Sequence, residues 1–129
     1  MPDTHLIEEQ LTHSVIGAFY DVYNTLGFGF LEFVYSLALE RELVRRGRSV
    51  EREVPIPLHY KGELLTAYRI DMLVDRRVVV EIKSTHALPS STQRQALNYL
   101  RATDLEVALI LHFGPKPEFI RLVHSNHVL

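Results

Sequence analysis

Residues 68–83, Tyr-Arg-Ile-Asp-Met-Leu-Val-Asp-Arg-Arg-Val-Val-Val-Glu-Ile-Lys, read as two strands joined by a tight turn. In the first strand, 64–74, the apolar side chains Tyr68, Ile70, Met72 and Val74 share one face, and Arg69 and Asp71 share the other. In the second, 78–83, Val78, Val80 and Ile82 face one way and Val79, Glu81 and Lys83 the other. Turn length decides whether the two carboxylates meet. A three-residue loop at Asp75-Arg76-Arg77 pairs Val74 with Val78 and sets Asp71 opposite Glu81. A two-residue loop at Arg76-Arg77 sets Asp71 opposite Ile82 and throws the apolar sets of the two strands onto opposite faces. The three-residue loop is therefore predicted, with one face of the hairpin in the core and Asp71, Glu81 and Lys83 on the other.

Directly opposed Cβ atoms lie about 4.5–5.5 Å apart, and like charges there are destabilising unless something neutralises them. A divalent cation does so. Hard oxygen ligands with no cysteine in the chain favour Mg²⁺ or Mn²⁺. Lys83 lies two residues past Glu81 on the same face, where it can meet a phosphate or a nucleophilic water. The plain alternative is a solvated ion-pair network, because Glu-x-Lys on a strand is common.

Outward from the hairpin, Ile7, Leu11, Val15, Ala18, Val22 and Leu26 recur at helical spacing and predict a helix over Thr4–Leu26. Asp3 or Thr4 is placed to cap it and Gly27 to end it in a left-handed turn. A second helix, Phe30–Arg46, stops at Gly47. Its apolar residues (Leu31, Phe33, Val34, Leu37, Ala38, Leu39, Leu43, Val44) cover much of its circumference, which predicts a well-buried helix. Val50, Val54, Ile56 and Leu58 alternate into a strand, and Pro55 and Pro57 remove two N–H groups from one of its edges, so it is predicted at the sheet edge or irregular. Pro89-Ser90-Ser91-Thr92 starts a third helix, Thr92–Thr103, before strands at Glu106–Phe113 and Glu118–Val123. The order α-α-β-β-β-α-β-β predicts a mixed sheet with helical cover, an α/β (α+β) fold.

The 129 residues fit one domain, 1–129, with a core of its own. Hydrophobic residues at 47% and charged residues at 23% are those of a globular chain. The absence of cysteine excludes disulfides, a thiol nucleophile, Cys-ligated zinc and iron–sulfur clusters. A net charge of −2 announces neither nucleic acid nor an anionic membrane as partner. Met1–His5 lacks the character of a secretory signal, and no apolar run approaches the roughly 18–20 residues of a membrane span, so a cytoplasmic, soluble protein is expected.

Three further features bear on chemistry. Glu32 opens the mostly apolar second helix, where a carboxylate serves either the helix dipole or a working site. Gln95 and Tyr99 are four apart, hence on one face of the third helix. Arg41, Arg45, Arg46, Arg48 and Arg52 place five of the 14 cationic residues within twelve positions, a cluster that could track phosphates or serve as a solvated helix end. Arg94 and Arg101 on the third helix and Arg76 and Arg77 at the hairpin tip are weaker candidates. The seven histidines are scattered with no i,i+4 pair, which argues against a zinc site.

Gly29-Phe30-Leu31-Glu32-Phe33-Val34-Tyr35 reads as Gly-x-x-Glu-x-x-Tyr, followed in order by Tyr68-Arg69-Ile70-Asp71, Glu81-Ile82-Lys83 and Gln95-Ala96-Leu97-Asn98-Tyr99. Over about Ile7–Val123 this resembles the small bacterial GxxExxY family of the PD-(D/E)xK nuclease superfamily. The resemblance implies a restriction-endonuclease-like αβββαβ core, here with an extra N-terminal helix, and Mg²⁺-dependent hydrolysis of a phosphodiester, DNA in the first place. It implies that Asp71, Glu81 and the Ile82 carbonyl hold the metal and that Glu32 completes its shell or orients a water. Lys83 would position the water and stabilise charge on the phosphate. Gln95 and Tyr99 would shape the site and contact nucleic acid. The superfamily's Pro-Asp position is Ile70-Asp71 here. With so little surface, a homodimer or a recruiting protein is expected. The rival expectation is a non-cleaving binding module of nuclease-like fold.

Overall fold

The computed structural model describes residues 7–125. Eight elements follow in the predicted order: α1 (Glu9–Leu26), α2 (Glu32–Arg45), β1 (Val50–Tyr60), β2 (Glu63–Val74), β3 (Val78–Lys83), α3 (Ser91–Arg101), β4 (Val107–Phe113) and β5 (Pro117–Val123). The hairpin loop is the three-residue one: Val74 pairs with Val78 and Met72 with Val80.

The sheet runs β1-β2-β3-β4-β5. Neighbours are antiparallel except β3 and β4, which are parallel and joined by the α3 crossover. β4 lies under cover on both faces, and all seven of its residues are buried, as its continuous apolar run requires. β1 is an edge strand as predicted, with Pro55 and Pro57 exposed and a register shift between Leu58 and His59.

Two cores result. On one face, Leu11, Val15, Phe19 and Val22 of α1 and Tyr35, Leu39 and Leu43 of α2 cover Met72, Val74, Val78, Val80 and Ile82. Phe113 closes this core between Phe19, edge-on at 4.8 Å, and Tyr35, stacked at 4.0 Å. On the other face, Ala96, Tyr99 and Leu100 of α3 cover Ile56, Ile70, Val79, Ala108 and Ile110.

The second core corrects the face assignment of the hairpin. Ile70 packs on the α3 side while Met72 and Val74 pack on the α1/α2 side, although all three were expected on one face. The cause lies at Asp71. Opposite it on β1, Glu53 has a left-handed backbone (φ 54), and neither residue enters the ladder between the Arg52–Met72 and Val54–Ile70 pairs. The strand turns over there. The expectation of one core face and one open face also fails, because α3 covers the second face: Val79 and Glu81 are both buried.

Helix α2 is less covered than its composition predicts. Tyr35, Leu39 and Leu43 are buried, but Leu31, Phe33 and Val44 are exposed. Only one stripe of a helix reaches a single sheet face, whatever its other residues are. The helix also starts at Glu32 rather than Phe30. α1 starts at Glu9, because Glu8 takes a left-handed conformation. The expected caps Asp3 and Thr4 lie outside the described residues. Gly27 ends α1 as predicted, with φ 71 and its N–H donating to Tyr23 O at 2.8 Å.

Candidate active site

β2 and β3 part company just past Met72 and Val80. The ladder between them ends at that pair, while β2 continues along β1 to Glu63 and β3 continues along β4 to Lys83. In the fork, the Ile82 N–H donates to Asp71 Oδ2 at 2.7 Å. A carboxylate thus takes an amide that a regular hairpin would give to a backbone carbonyl. This holds Asp71 within electrostatic and hydrogen-bonding reach of Glu81, although the two do not form the directly opposed ladder pair the hairpin register predicts.

Glu81 is 7% exposed, and its Oε1 has no hydrogen-bond partner among the described residues. Burial, then the charge and hydrogen bonding of Asp71, push its carboxyl up to about 9, with Lys83 pulling the other way. Tyr99 stands over the pair from α3. Burial and the charges of Glu81 and Asp71 raise its hydroxyl to about 12, and its ring meets Tyr68 edge-on at 5.4 Å.

Glu32 arrives from the other side, at the first helical position of α2. Its position is set by the turn before it. Gly29 has φ +116, a conformation that side chains rarely adopt. Tyr35, fully buried one turn into α2, donates its hydroxyl to Gly27 O and accepts from the Phe30 N–H at 3.3 Å. The Gly-x-x-Glu-x-x-Tyr spacing is therefore one device: a turn, a carboxylate at its end and a phenol that staples the turn. Ser84 ties this turn to the end of β3, donating its N–H to Glu32 Oε2 at 3.2 Å and its hydroxyl to Phe30 O.

Asp71, Glu32 and Ile82 open onto one cleft of about 280 Å³, which Phe33, Ser36, Arg52 and Glu53 complete. The donor set suits a divalent cation between Asp71, which lines the cleft, and Glu81, which is buried next to Asp71 and does not line it. Asp71 and Glu81 are hard oxygen donors, they repel, and Glu81 carries an oxygen that lacks a partner. Glu32 shares the cleft, but among the described residues no three His, Asp or Glu side chains are grouped to hold a metal.

The other expected residues scatter. Lys83 is half-buried at the end of β3, within electrostatic reach of Glu81. Gln95 is exposed on α3, one turn before Tyr99. Of the arginine cluster, Arg52 reaches the cleft, held by Glu40 at 2.9 Å. Arg46 is paired with Asp21 and Glu42, and Arg48 with Asp75. Arg41 and Arg45 line a separate cleft between α1 and α2, and Arg94 is exposed on α3.

Sequence reasoning missed Ser84 and His112. His112 is 3% exposed, and its Nε2 donates to Thr85 O at 2.8 Å. A Cβ on Gly114 would fall 2.7 Å from its ring. No local spacing signals either residue, since both bond to residues distant in sequence.

A family model described as the PD-(D/E)XK nuclease superfamily matches residues 9–122. The chain belongs to the PD-(D/E)XK nuclease superfamily. Its fold is accordingly the restriction-endonuclease-like α/β fold, and Asp71, Glu81 and Lys83 lie where its β2 and β3 part. Nucleases of this superfamily generally use divalent metals such as Mg²⁺. No curated protein sequence matches the chain. Among solved structures, the crystal structure of SSO0001 is similar with a TM-score of 0.57 and 21% identity over 92% of this chain, a likeness of fold. The chain spans 59% of the length of that neighbour. Among the described residues no helix is long and apolar enough to cross a membrane.

Proposed function

We propose that this chain is a Mg²⁺- or Mn²⁺-dependent nuclease of the GxxExxY kind, hydrolysing phosphodiesters of DNA. The observation that carries the reading is the buried, partnerless Glu81 Oε1 beside Asp71. A fold does not keep such an oxygen without cost unless the site uses it. Asp71, Glu81 and the Ile82 carbonyl would hold the cation. Bound there, it would act as Lewis acid and water activator.

The protein's own groups do the rest. Lys83 places positive charge where the phosphate gains negative charge. Glu32, at the helix N-terminus and fixed by the Ser84 N–H, orients water from the far wall of the cleft. Tyr99 covers the acid pair and excludes solvent from it. Gln95 and the exposed Arg41, Arg45 and Arg94 contact the nucleic acid further out, with Arg46, Arg48 and Arg52 adding positive field despite their carboxylate partners. The chain works as one domain, as a homodimer or with a recruiting protein.

Incubation of labelled DNA with Mg²⁺ or Mn²⁺ tests the reading. Cleavage by the wild type that is absent from Glu81→Gln and Lys83→Ala supports it; intact DNA with all three proteins overturns it. A second reading, a non-cleaving binding module, draws on the absence of a grouped third acid among the described residues. Nucleic-acid binding without cleavage would favour it.

A further inference from the structure

Glu32 is a shared wall. On one side lies the acid cleft, and on the other a second cleft of about 480 Å³ between residues 28–32 and the segment Ser84-Thr85-His86. The second cleft lies against the acid site and plays no part in the chemistry assigned to it.

Its walls are aromatic and exposed. Phe28 and Phe30 are each 45% exposed, and the His86 ring lies edge-on to Phe28 at 6.4 Å. Among the described residues no Lys or Arg lines this cleft. Both walls are held in place without a ligand. Tyr35 fixes the Gly27–Phe30 turn, Ser84 fastens that turn to β3, and His112 holds the Thr85 carbonyl. A rigid aromatic slot lacking cations is poorly made for a phosphate backbone and well made for a flat, apolar-faced ring. The acid cleft on the other side of Glu32 says which ring: one on the same strand as the phosphate at Asp71 and Glu81.

We propose that this cleft is a nucleobase subsite, stacking an unpaired base of the strand whose phosphate lies at the acid pair, so that the substrate is single-stranded or locally unpaired nucleic acid. The inference rests on the nuclease reading for the position of the phosphate. A duplex keeps its bases stacked on each other and offers none to the slot without unpairing.

Fluorescence anisotropy with a short labelled oligo-dT and the matching duplex, in Ca²⁺, tests the subsite, with thermal melting to confirm that variants fold. Wild type is expected to bind the single strand at least about ten-fold tighter than the duplex, a preference set by unpairing and stacking together. Phe30→Ala and Phe30→Leu should each weaken single-strand binding by at least about five-fold, and Phe30→Tyr should retain it. Equal binding of both DNAs, or a Phe30→Leu variant as tight as wild type, overturns the subsite. DNA cleavage that is indifferent to Phe30 and lost in Glu81→Gln would sink the subsite and leave the nuclease reading standing. Phe30-dependent single-strand binding without cleavage would leave the subsite standing and sink the nuclease reading.

Discussion

Asp71 Oδ2 accepts the Ile82 N–H at 2.7 Å, and this bond marks the place where β2 leaves β3. A backbone amide is satisfied by a side chain, so the ladder can end inside the protein without an orphaned donor. The parting of the strands brings Asp71 to Glu81 and opens the cleft toward Glu32. Asp71→Ala should therefore lose structure as well as charge, with a stability drop of about 1–3 kcal/mol in urea unfolding. Asp71→Asn keeps an acceptor for the amide and should lose less stability while still losing metal binding.

Glu81→Gln should move stability the other way. The wild-type carboxyl is buried beside Asp71 with one oxygen unsatisfied. Burial raises the wild-type carboxyl to about 9, so folding at neutral pH requires it to take up a proton, whereas an amide of the same shape is neutral in both states and can donate to Asp71. At neutral pH without metal, the variant should be more stable by about 1–3 kcal/mol. Added Mn²⁺ should raise the wild-type melting temperature and leave that of the variant unchanged. A variant less stable than wild type in metal-free buffer would contradict this account of Glu81.

Lys83→Ala separates chemistry from binding. Lys83 is not a metal donor, so Mn²⁺ affinity should change by less than about three-fold while the cleavage rate falls about 10²–10³-fold, the loss typical when a group aimed at developing charge is removed. Equal losses in both would make Lys83 part of the metal site's support.

Tyr35→Phe removes one hydroxyl from a fully buried ring. The Phe30 N–H and the Gly27 carbonyl lose their partner, and Glu32 loses its fixed approach. Expected are a loss of about 1–2 kcal/mol of stability and a lower kcat, with KM for the nucleic acid nearly constant. Chemical denaturation and steady-state kinetics check the two parts separately.

Asp75 supplies a pH test remote from the acid pair. Burial works against its charge, but the Ser49 N–H at 2.8 Å and the Arg48 guanidinium at 3.2 Å hold its carboxyl below the usual carboxylate range. A folded-state value below the unfolded one gives stability that is present above about pH 4 and lost as pH falls through the folded value. Asp75→Asn tolerates the left-handed backbone at φ 52 and removes the charge. It should cost about 1–2 kcal/mol at pH 7, and the gap from wild type should close at the acid end of a pH series. A gap constant down to pH 2 would contradict the charge-based account.

Much of this was legible in the sequence, and the limits have identifiable causes. The hairpin register followed from patterning, because a one-residue slip would have put Val78, Val80 and Ile82 on the wrong face. The nearness of the acid pair followed from the register, but not its place outside the ladder. The reversal of faces at Asp71 did not follow, because it depends on Glu53 entering a left-handed conformation from a different strand. The exposure of Phe33 and Val44 was missed because α2 meets one sheet face and has no second layer outside it. Ser84 and His112 act through contacts across 52 and 27 positions, to Glu32 and Thr85, and no short window of sequence contains both partners.

The central claim is that Asp71 and Glu81 together hold one divalent cation for phosphodiester hydrolysis. Calorimetric titration of the wild-type chain with Mn²⁺, beside Asp71→Asn and Glu81→Gln, tests it most directly. The account predicts one site per chain in the wild type, at least about ten-fold weaker in each variant, because each removes a charged ligand and loss of a mere supporting hydrogen bond already costs about 10–100-fold. No Mn²⁺ binding by the wild type, or equal binding by all three proteins, would contradict it.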